Sequence, residues 1–346
     1  MSKVDLFIPI YNRPLFLKRI LSYYQLLKVD YRIIIADSSF PENKKKNKKI
    51  ALSFSKLDIL YLDKFSPSLN PHHKFGQMIK YAKAKYCVFC ADDDFVIPSG
   101  IKIAVDFLEK NPSYVVAHGS YISFYLYKGP LGYRFWWRFI YPFKPITSSN
   151  SLNRLLSHLL DYYQVLYAVR RTETVKMAYK EFIKSKTNPI LFGELMPDML
   201  TLIYGKMKRL DCFYGARQAF STSYSYWPSL IDATNDGTYD AEYSKFRNSL
   251  ALNVSKTSKV SKQKAAEMID LNMKQYLKTT YQDHLMGRVN LILRKLPKFI
   301  DNGLRILHVQ YLFSKPTQDK IGLINNPNSK FYPDFETIRN LVINNK

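Results

Sequence analysis

Residues 86–100 read YCVFCADDDFVIPSG, a stretch that places three adjacent aspartates, Asp92, Asp93 and Asp94, directly after an apolar, strand-like run. Neighbouring carboxylates repel one another, and each favours the protonated form of the next. A cation, or a ligand that brings one, relieves such crowding. The structural alternative is a solvated acidic turn, and the buried character of the preceding run argues against it. The stretch therefore predicts a ligand site at the end of a strand.

The first third of the chain alternates strand and helix patterns. Val4–Ile10 is a compact apolar run suited to a buried strand, and the helical spacing after it begins near Pro14, which suits a first helical turn. Two further runs, YRIIIADSS and LDILYL, and a helix over residues 74–84 precede the strand YCVFC. Strands that alternate with helices form a parallel sheet, which binds ligands at the carboxyl ends of its strands. The turns YNR, DSS and DDD all fall there, so we expect them to meet at one edge.

Together, the segments FIPIYNRPLFLKRIL, IIIADSS and YCVFCADDDFVIPSGI resemble the family 2 type of GT-A glycosyltransferase of bacterial surface-glycan synthesis. The resemblance is good over residues 3–120 and weaker beyond. It implies an α/β fold of the GT-A class: a Rossmann-like, mostly parallel sheet flanked by helices, with a helical C-terminal extension. It also implies a set of nucleotide-binding positions, which in this sequence are Pro9, Tyr11, Asn12, Arg13, Asp37, Ser39, Lys74 and Asp92.

The same resemblance implies a divalent metal, Mn²⁺ or Mg²⁺, at the aspartate triplet, with Asp93 and Asp94 as its ligands. Such an ion bridges the phosphates of the donor and stabilises the charge of the departing diphosphate, and hard carboxylate oxygens suit it. The family pattern is Asp-x-Asp-Asp, whose first aspartate corresponds to Ala91 here. This departure shifts the weight to Asp93, and it leaves a catalytically inactive family member as an alternative.

A second acidic group lies in LFGELMPDMLTLIYGK, residues 191–206. Family members carry an acidic pair that opens a helix, with a glycine about three turns later, and one of its carboxylates deprotonates the acceptor hydroxyl. Glu194 lies eleven positions before Gly205 and is the favoured base, with Asp198 as the reserve candidate. The structural alternative is that one acid only caps the helix and interacts with its positive end. Just upstream, Arg170 or Arg171 contacts phosphate in one interpretation and forms a surface ion pair in the other.

Two regions combine aromatic and basic residues. YRFWWRFIYPFKP, residues 133–145, suits a membrane interface, sugar stacking or packing on the core. In the tail, apolar residues at helical spacing lie among cations, with Pro297 expected to bend the helix: Leu285, Val289, Ile292, Leu296, Phe299 and Ile300. This segment either lies on anionic lipid or covers the catalytic domain. The polar stretch before it, residues 253–267, is typical of a linker.

The amino-acid composition restricts the kinds of partner and the cellular location expected for the protein. The 346 residues include 52 Lys and Arg against 28 Asp and Glu, a formal charge of +24 that indicates an anionic partner unless it reflects compositional drift. Cys87 and Cys90 have C-x-x-C spacing, yet on a strand they face opposite sides, so buried thiols are expected. With no disulfide framework, leader or long apolar run visible, we expect a cytoplasmic protein; peripheral binding to the inner face of the cell membrane stays open.

These patterns predict three regions: residues 1–120 as the nucleotide-sugar-binding half, 121–240 as the acceptor-binding half with the base, and 241–346 as a basic helical extension. The expected activity, with inversion implied by the resemblance, is metal-dependent transfer of a sugar from a nucleotide-diphosphate donor, a UDP-sugar being favoured, to a hydroxyl of a glycan or lipid-linked acceptor. The alternative is a non-catalytic basic protein that binds nucleic acid or anionic membrane. Because no nucleic-acid-binding motif is visible, we expect no nucleic-acid partner.

Overall fold

A computed structural model of the chain describes residues 2–129, 132–140, 144–219, 230–235, 237–294 and 322–344. The strands are β1 (Val4–Ile10), β2 (Arg32–Asp37), β3 (Asp58–Leu62), β4 (Tyr86–Phe89), β5 (Phe95–Val96), β6 (Tyr114–Gly129), β7 (Gly132–Ile140), β8 (Val169–Arg171) and β9 (Lys206–Gln218). The helices are α1 (Pro14–Leu26), α2 (Pro41–Ser53), α3 (Pro71–Met78), α4 (Pro98–Lys110), α5 (Ser151–Leu160), α6 (Thr172–Ser185), α7 (Pro189–Phe192), α8 (Leu195–Tyr204), α9 (Leu230–Asn235), α10 (Tyr239–Thr257), α11 (Lys262–Arg294) and α12 (Tyr332–Asn344).

The described strands form one sheet in the order β3-β2-β1-β4-β8-β6-β9-β5, with β7 paired to the outer part of β6. Strands β3, β2, β1 and β4 are parallel, because helical crossovers join them. The apolar runs of β2, β1 and β4 are buried on both faces, whereas the edge strand β3 is half-buried. Strand β8 then joins antiparallel between β4 and β6, whereas β6 and β9 are parallel. The predicted GT-A type of α/β fold is confirmed. The same sheet takes strands from both residues 1–120 and residues 121–240.

The C-terminal helices pack on the rest of the molecule wherever their side chains are described. Helix α10 buries Phe246, Leu250 and Val254, and the first half of α11 buries Ile269 and Met273. The linker predicted over residues 253–267 is wrong, because α10 continues through Thr257 and α11 begins at Lys262. Only the short break between α10 and α11 is irregular. The other polar residues of the predicted linker belong to the ends and exposed faces of these two helices.

The amphipathic tail predicted around Pro297 lies mostly outside the described residues. The backbone of α11 runs helically through positions 285, 289 and 292, and positions 296, 299 and 300 fall beyond it. Within the parts of the chain that the structure describes, no helix combines the length and apolar character needed to cross a bilayer. Cys87, Cys90 and Cys212 are buried free thiols, as predicted for the first two.

Candidate active site

The loops after β1 and β2 are joined at the edge where the sequence places the polar turns. Asn12 adopts a left-handed backbone conformation (φ 56°), which Asn tolerates better than most residues. Its main-chain N–H donates to Ser39 Oγ at 2.7 Å, and its side-chain Oδ1 accepts from the N–H of Phe40 at 2.9 Å. The helix after each loop begins with a proline, Pro14 or Pro41, whose fixed φ suits the first turn. The two loops therefore hold one another in place.

Arg13 lies directly against the aspartate triplet. Its guanidinium donates to Asp93 Oδ2 at 2.7 Å and to Asp92 Oδ1, so one planar group spans two carboxylates. Burial alone would lower the pKa of Arg13, but Asp92 and Asp93 raise it above its ordinary value. In the structure, Arg13 of the β1 loop supplies a positive charge that relieves the repulsion among the adjacent carboxylates.

Asp94 is held by a different set of groups. Its Oδ2 accepts from the hydroxyl of Tyr167 at 2.7 Å, and its Oδ1 accepts from the main-chain N–H of Gln218 at 2.7 Å. Arg217 Nε lies 3.6 Å from Asp94 Oδ2, with the guanidinium 5.2 Å from the centroid of the Tyr167 ring. Asp94 thereby connects the end of β4 to the end of β9, more than a hundred residues later.

A third arginine, Arg19, approaches the triplet from helix α1. Buried at 3% exposure, it donates to the main-chain carbonyl of Asp93 at 2.9 Å and to Gln218 Oε1 at 2.7 Å. Burial lowers its pKa to about 10. Three aspartates therefore face three arginines that come from the β1 loop, α1 and β9.

The aspartates are nevertheless costly to ionise in this environment. Burial raises the pKa of Asp92 to about 7, against the opposing effect of Arg13. Burial and the neighbouring Asp93 raise the pKa of Asp94 to about 6. The second carboxylate oxygen of Asp92 is buried without a hydrogen-bond partner among the described residues. The site thus contains a carboxylate oxygen that an arriving cation could use.

Asp37 and Lys74 lie beneath the joined loops. Asp37 is fully buried, and its oxygens accept from Ser39 N–H at 2.7 Å, from Asn47 Nδ2 at 2.8 Å and from the hydroxyl of Tyr61. Lys74 Nζ donates to Ser38 Oγ at 2.8 Å and to the carbonyl of Ile10 at 3.2 Å. Burial lowers the pKa of Lys74 to about 8, and Asp92 and Asp37 oppose this shift.

An aromatic pair lies beside the two loops. The rings of Tyr11 and Phe40 are 6.0 Å apart, and Phe40 is 54% exposed. Pro9 is half-buried within β1, next to Ala36 of β2. Together with Asn12 and Arg13, these residues surround the carboxyl ends of β1 and β2. Every nucleotide-binding position predicted from the sequence therefore lies at or just beneath this edge of the sheet.

The two candidate bases lie at the start of α8, Glu194 immediately before the helix and Asp198 in its first turn, and one tyrosine links them. The hydroxyl of Tyr162 lies 3.0 Å from Glu194 Oε1 and 3.4 Å from Asp198 Oδ2. Gln164 Nε2 donates to the other oxygen of Glu194 at 3.1 Å. Glu194 reaches solvent, although the protein packed around it raises its pKa above the ordinary value through burial. Burial raises the pKa of Asp198 to about 7.

Asp198 is built into the interior. It is 2% exposed, accepts from the N–H of Val165 at 3.0 Å and lies 3.8 Å from the guanidinium of Arg170. Arg170 itself is fully buried above the Phe89 ring, and Arg171 donates to main-chain carbonyls of Leu108 and Tyr114. A surface ion pair is therefore wrong for either arginine, because Arg170 is fully buried and the half-buried Arg171 donates to main-chain carbonyls.

Residues 5–163 match the family described as Glycosyl transferase family 2. This region, a little under half of the chain, is a family 2 glycosyltransferase region. The region includes the β1 and β2 loops, the aspartate triplet and Tyr162, whereas α8 and β9 follow it. Curated protein sequences include none that matches the transferase.

Solved structures similar to the transferase share little sequence with it. S. aureus TarS 1–349 is 15% identical, with 86% of this chain and 76% of that chain covered and a TM-score of 0.49. The complex of TarS 1–349 with UDP-GlcNAc is 16% identical, covering 87% and 83%, with a TM-score of 0.45. The mannosyltransferase PcManGT from Pyrobaculum calidifontis, in complex with GDP-Man and Mn²⁺, is 10% identical, covering 99% and 85%, with a TM-score of 0.42.

Several residues of the transferase site were not predicted from the sequence. Arg19, Tyr162, Tyr167, Arg217 and Gln218 all contact the acidic groups. The signal available for Arg217 and Gln218 was that they are the first polar residues after the apolar run CFYGA. Tyr162 and Arg19 offered no signal, because a tyrosine after a helix and an arginine within one are common surface residues.

Proposed function

We propose that the transferase moves a sugar from a nucleotide-diphosphate sugar, with a UDP-sugar as the favoured donor, to a hydroxyl of a glycan or lipid-linked acceptor, with inversion at the sugar carbon. The observation that carries this proposal is the aspartate triplet at the carboxyl ends of the parallel strands, faced by Arg13 and Arg217. Ligands of open α/β sheets bind at that edge. With a lipid-linked acceptor, the enzyme would work as a peripheral protein at the inner face of the cell membrane.

The β1 and β2 loops suit the nucleotide. Tyr11 and Phe40 offer aromatic faces on which a base can stack, with contacts of Asp37 and Ser39 to its edge implied by the family resemblance. In this proposal Lys74 and Arg13 supply positive charge for the diphosphate, and Asp92 accepts a hydrogen bond from a ribose hydroxyl. In the protein by itself, Asp37 already accepts from three groups, so its role includes holding the loop that carries Ser39.

A divalent metal fits the aspartates when it arrives with the donor. No group of three His, Cys, Asp or Glu side chains among the described residues is arranged to hold an ion by protein ligands alone. Mg²⁺ and similar ions commonly use only one or two carboxylates, with phosphates and water as the other ligands. Asp93 and Asp94 would hold the ion, and the unpartnered oxygen of Asp92 lies beside them. When bound, the metal stabilises negative charge on the leaving diphosphate.

Glu194 is the favoured base for the acceptor hydroxyl. A base must come within hydrogen-bond reach of the proton it removes, and Glu194 reaches solvent whereas Asp198 is enclosed. Tyr162 and Gln164 each donate to one oxygen of Glu194 and fix the direction of its carboxylate. A raised pKa makes this group a stronger base than an ordinary glutamate. Asp198, paired with Arg170 and Val165, then orients the start of α8 and the hydroxyl of Tyr162.

Calorimetric titration with UDP, GDP, CDP and CMP, each with and without Mn²⁺, tests the donor site. We expect one nucleoside diphosphate to bind in a Mn²⁺-dependent manner to the wild type and to lose that dependence in Asp93→Ala. Asp58→Ala is the matched control, because Asp58 is exposed at the opposite end of the parallel strands. If no nucleotide binds under any condition, or if Asp93→Ala behaves like the control, the proposed donor site is wrong.

A further inference from the structure

The hairpin of β6 and β7 divides its aromatic residues between two faces. Because side chains alternate along a strand, Phe135 and Trp137 point to one side and Trp136 to the other. The rings of Phe135 and Trp137 lie 5.8 and 5.4 Å from the ring of Phe335 on α12, and Phe135 stacks on Phe124 at 5.0 Å. The apolar side of the hairpin is therefore covered by the protein itself.

The opposite side of the hairpin combines cations and aromatic rings. Its cross-strand pairs are Ser123 with Arg138, Tyr125 with Trp136, and Tyr127 with Arg134, and we call these six residues the hairpin face. The Tyr125 and Trp136 rings are 4.9 Å apart. Arg134 and Arg138 are exposed, and neither has an acidic partner within the described part of the chain. The hairpin face is thus cationic, with half-buried rings between the charges.

The hairpin face continues into the active site. Ser123 pairs with Arg217 across the parallel strands β6 and β9, so the two side chains lie on the same side of the sheet. Arg217 in turn lies 3.6 Å from Asp94. Because neighbouring strands are about 4.8 Å apart, Arg138 lies roughly 10 Å from Arg217 in the plane of the sheet. A row of arginines therefore leads from the aspartate triplet out along the hairpin.

From this continuity we infer that the hairpin face binds the acceptor, and that the acceptor is an anionic glycan whose phosphate or carboxylate groups pair with Arg134 and Arg138. The inference rests on the proposed function and names the acceptor class. Guanidinium groups bind such anions through paired hydrogen bonds, and the flat faces of Tyr125 and Trp136 suit the apolar faces of sugar rings. A membrane would require an exposed apolar surface, and the apolar side of this hairpin is already packed against α12.

Binding of full-length protein to four probes tests the inference: phosphorylated dextran, polygalacturonate, unmodified dextran, and vesicles of phosphatidylglycerol and phosphatidylcholine. The test variant is Arg134→Gln with Arg138→Gln. The matched control is Lys180→Gln with Lys184→Gln, which removes the same charge from the exposed face of α6. Thermal unfolding and nucleotide binding of each variant report whether the fold and donor site are intact.

We expect the arginine variant to bind one of the anionic glycans about tenfold more weakly than the wild type, with the lysine control unchanged, since each lost charge-assisted hydrogen bond contributes to affinity. Phosphorylated dextran and polygalacturonate distinguish phosphate from carboxylate recognition. Equal weakening in both variants, equally tight binding of unmodified dextran, or a loss confined to vesicles would overturn the inference. Nucleotide binding is scored separately: its absence in the wild type would refute the donor site without altering the glycan result.

Discussion

Replacing Asp92 with asparagine removes one charge from the most crowded part of the site while keeping the size of the side chain. Burial raises the pKa of Asp92 from an ordinary value of 3.8 to about 7. The folded protein therefore holds this proton more tightly than the unfolded chain. The resulting contribution to stability is fully present below the unfolded pKa and is lost as the pH rises through the folded pKa. Asp92→Asn lacks this loss, because its amide does not titrate.

The size of the effect follows from the same shift. From about pH 5 to the folded pKa of about 7, the pH rises by about two units. At ~1.36 kcal/mol per unit, the wild type loses ~2.7 kcal/mol of stability over this range. Water entry around buried groups reduces such values. We therefore expect the free energy of unfolding of Asp92→Asn, minus that of the wild type, to rise by about 2 kcal/mol between pH 5 and pH 8.

Urea denaturation of both proteins at a series of pH values provides the measurement. Groups that titrate in both proteins cancel in the difference, and Asp58→Asn, which changes an exposed aspartate far from the triplet, is the matched control. A difference between Asp92→Asn and wild type that stays constant from pH 5 to pH 8 would refute the reasoning. It would mean that Arg13 keeps Asp92 ionised in the folded protein throughout this range.

Three further results are expected. Glu194→Gln should lower kcat by about 10²- to 10⁴-fold with nucleotide affinity unchanged, and Asp198→Asn should do less; the reverse order in single-turnover assays would make Asp198 the base. Because burial lowers the pKa of Lys74 to about 8, the wild type should gain roughly 2 kcal/mol of stability as the pH rises from 8 to 10. Lys74→Met should lack that gain in urea denaturation, and parallel pH curves for the two proteins would contradict it. Phe335→Ala should cost about 3 kcal/mol, since its ring contacts two aromatic rings of β7, whereas exposed Arg339→Ala should be neutral in thermal unfolding.

The parallel half of the fold was predictable because its signals are local. The run Val4–Ile10 is β1 residue for residue, and α1 begins at Pro14 as predicted. Strands β2, β3 and β4 also lie within their predicted apolar runs. Each element is marked in the sequence by a continuous apolar run or by a proline at a first turn, and both depend only on neighbouring residues.

The hairpin and the C-terminal helices were not predictable in this way. GYRFWWRFI has no polar–apolar alternation, because one face of β7 is packed by rings and the other mixes arginines with a tryptophan. The polar residues 253–267 are typical of a linker, yet Val254, Ala265 and the rest of their helical faces are buried against α5 and α8. Tertiary packing decided the structure of both segments.

The position of the candidate site and its acids could be predicted from the amino-acid sequence, because a strand and the polar turn that follows it consist of consecutive residues. The sequence also placed Glu194 and Asp198 at the start of one helix. Only the tertiary structure brought Arg13, Arg19 and Arg217 to the triplet and Tyr162 to the two bases. Contacts in this part of the molecule join residues up to 199 positions apart, as between Arg19 and Gln218. Burial of those acids, and the pKa shifts that follow from it, depend on the whole enclosing fold and on no local pattern.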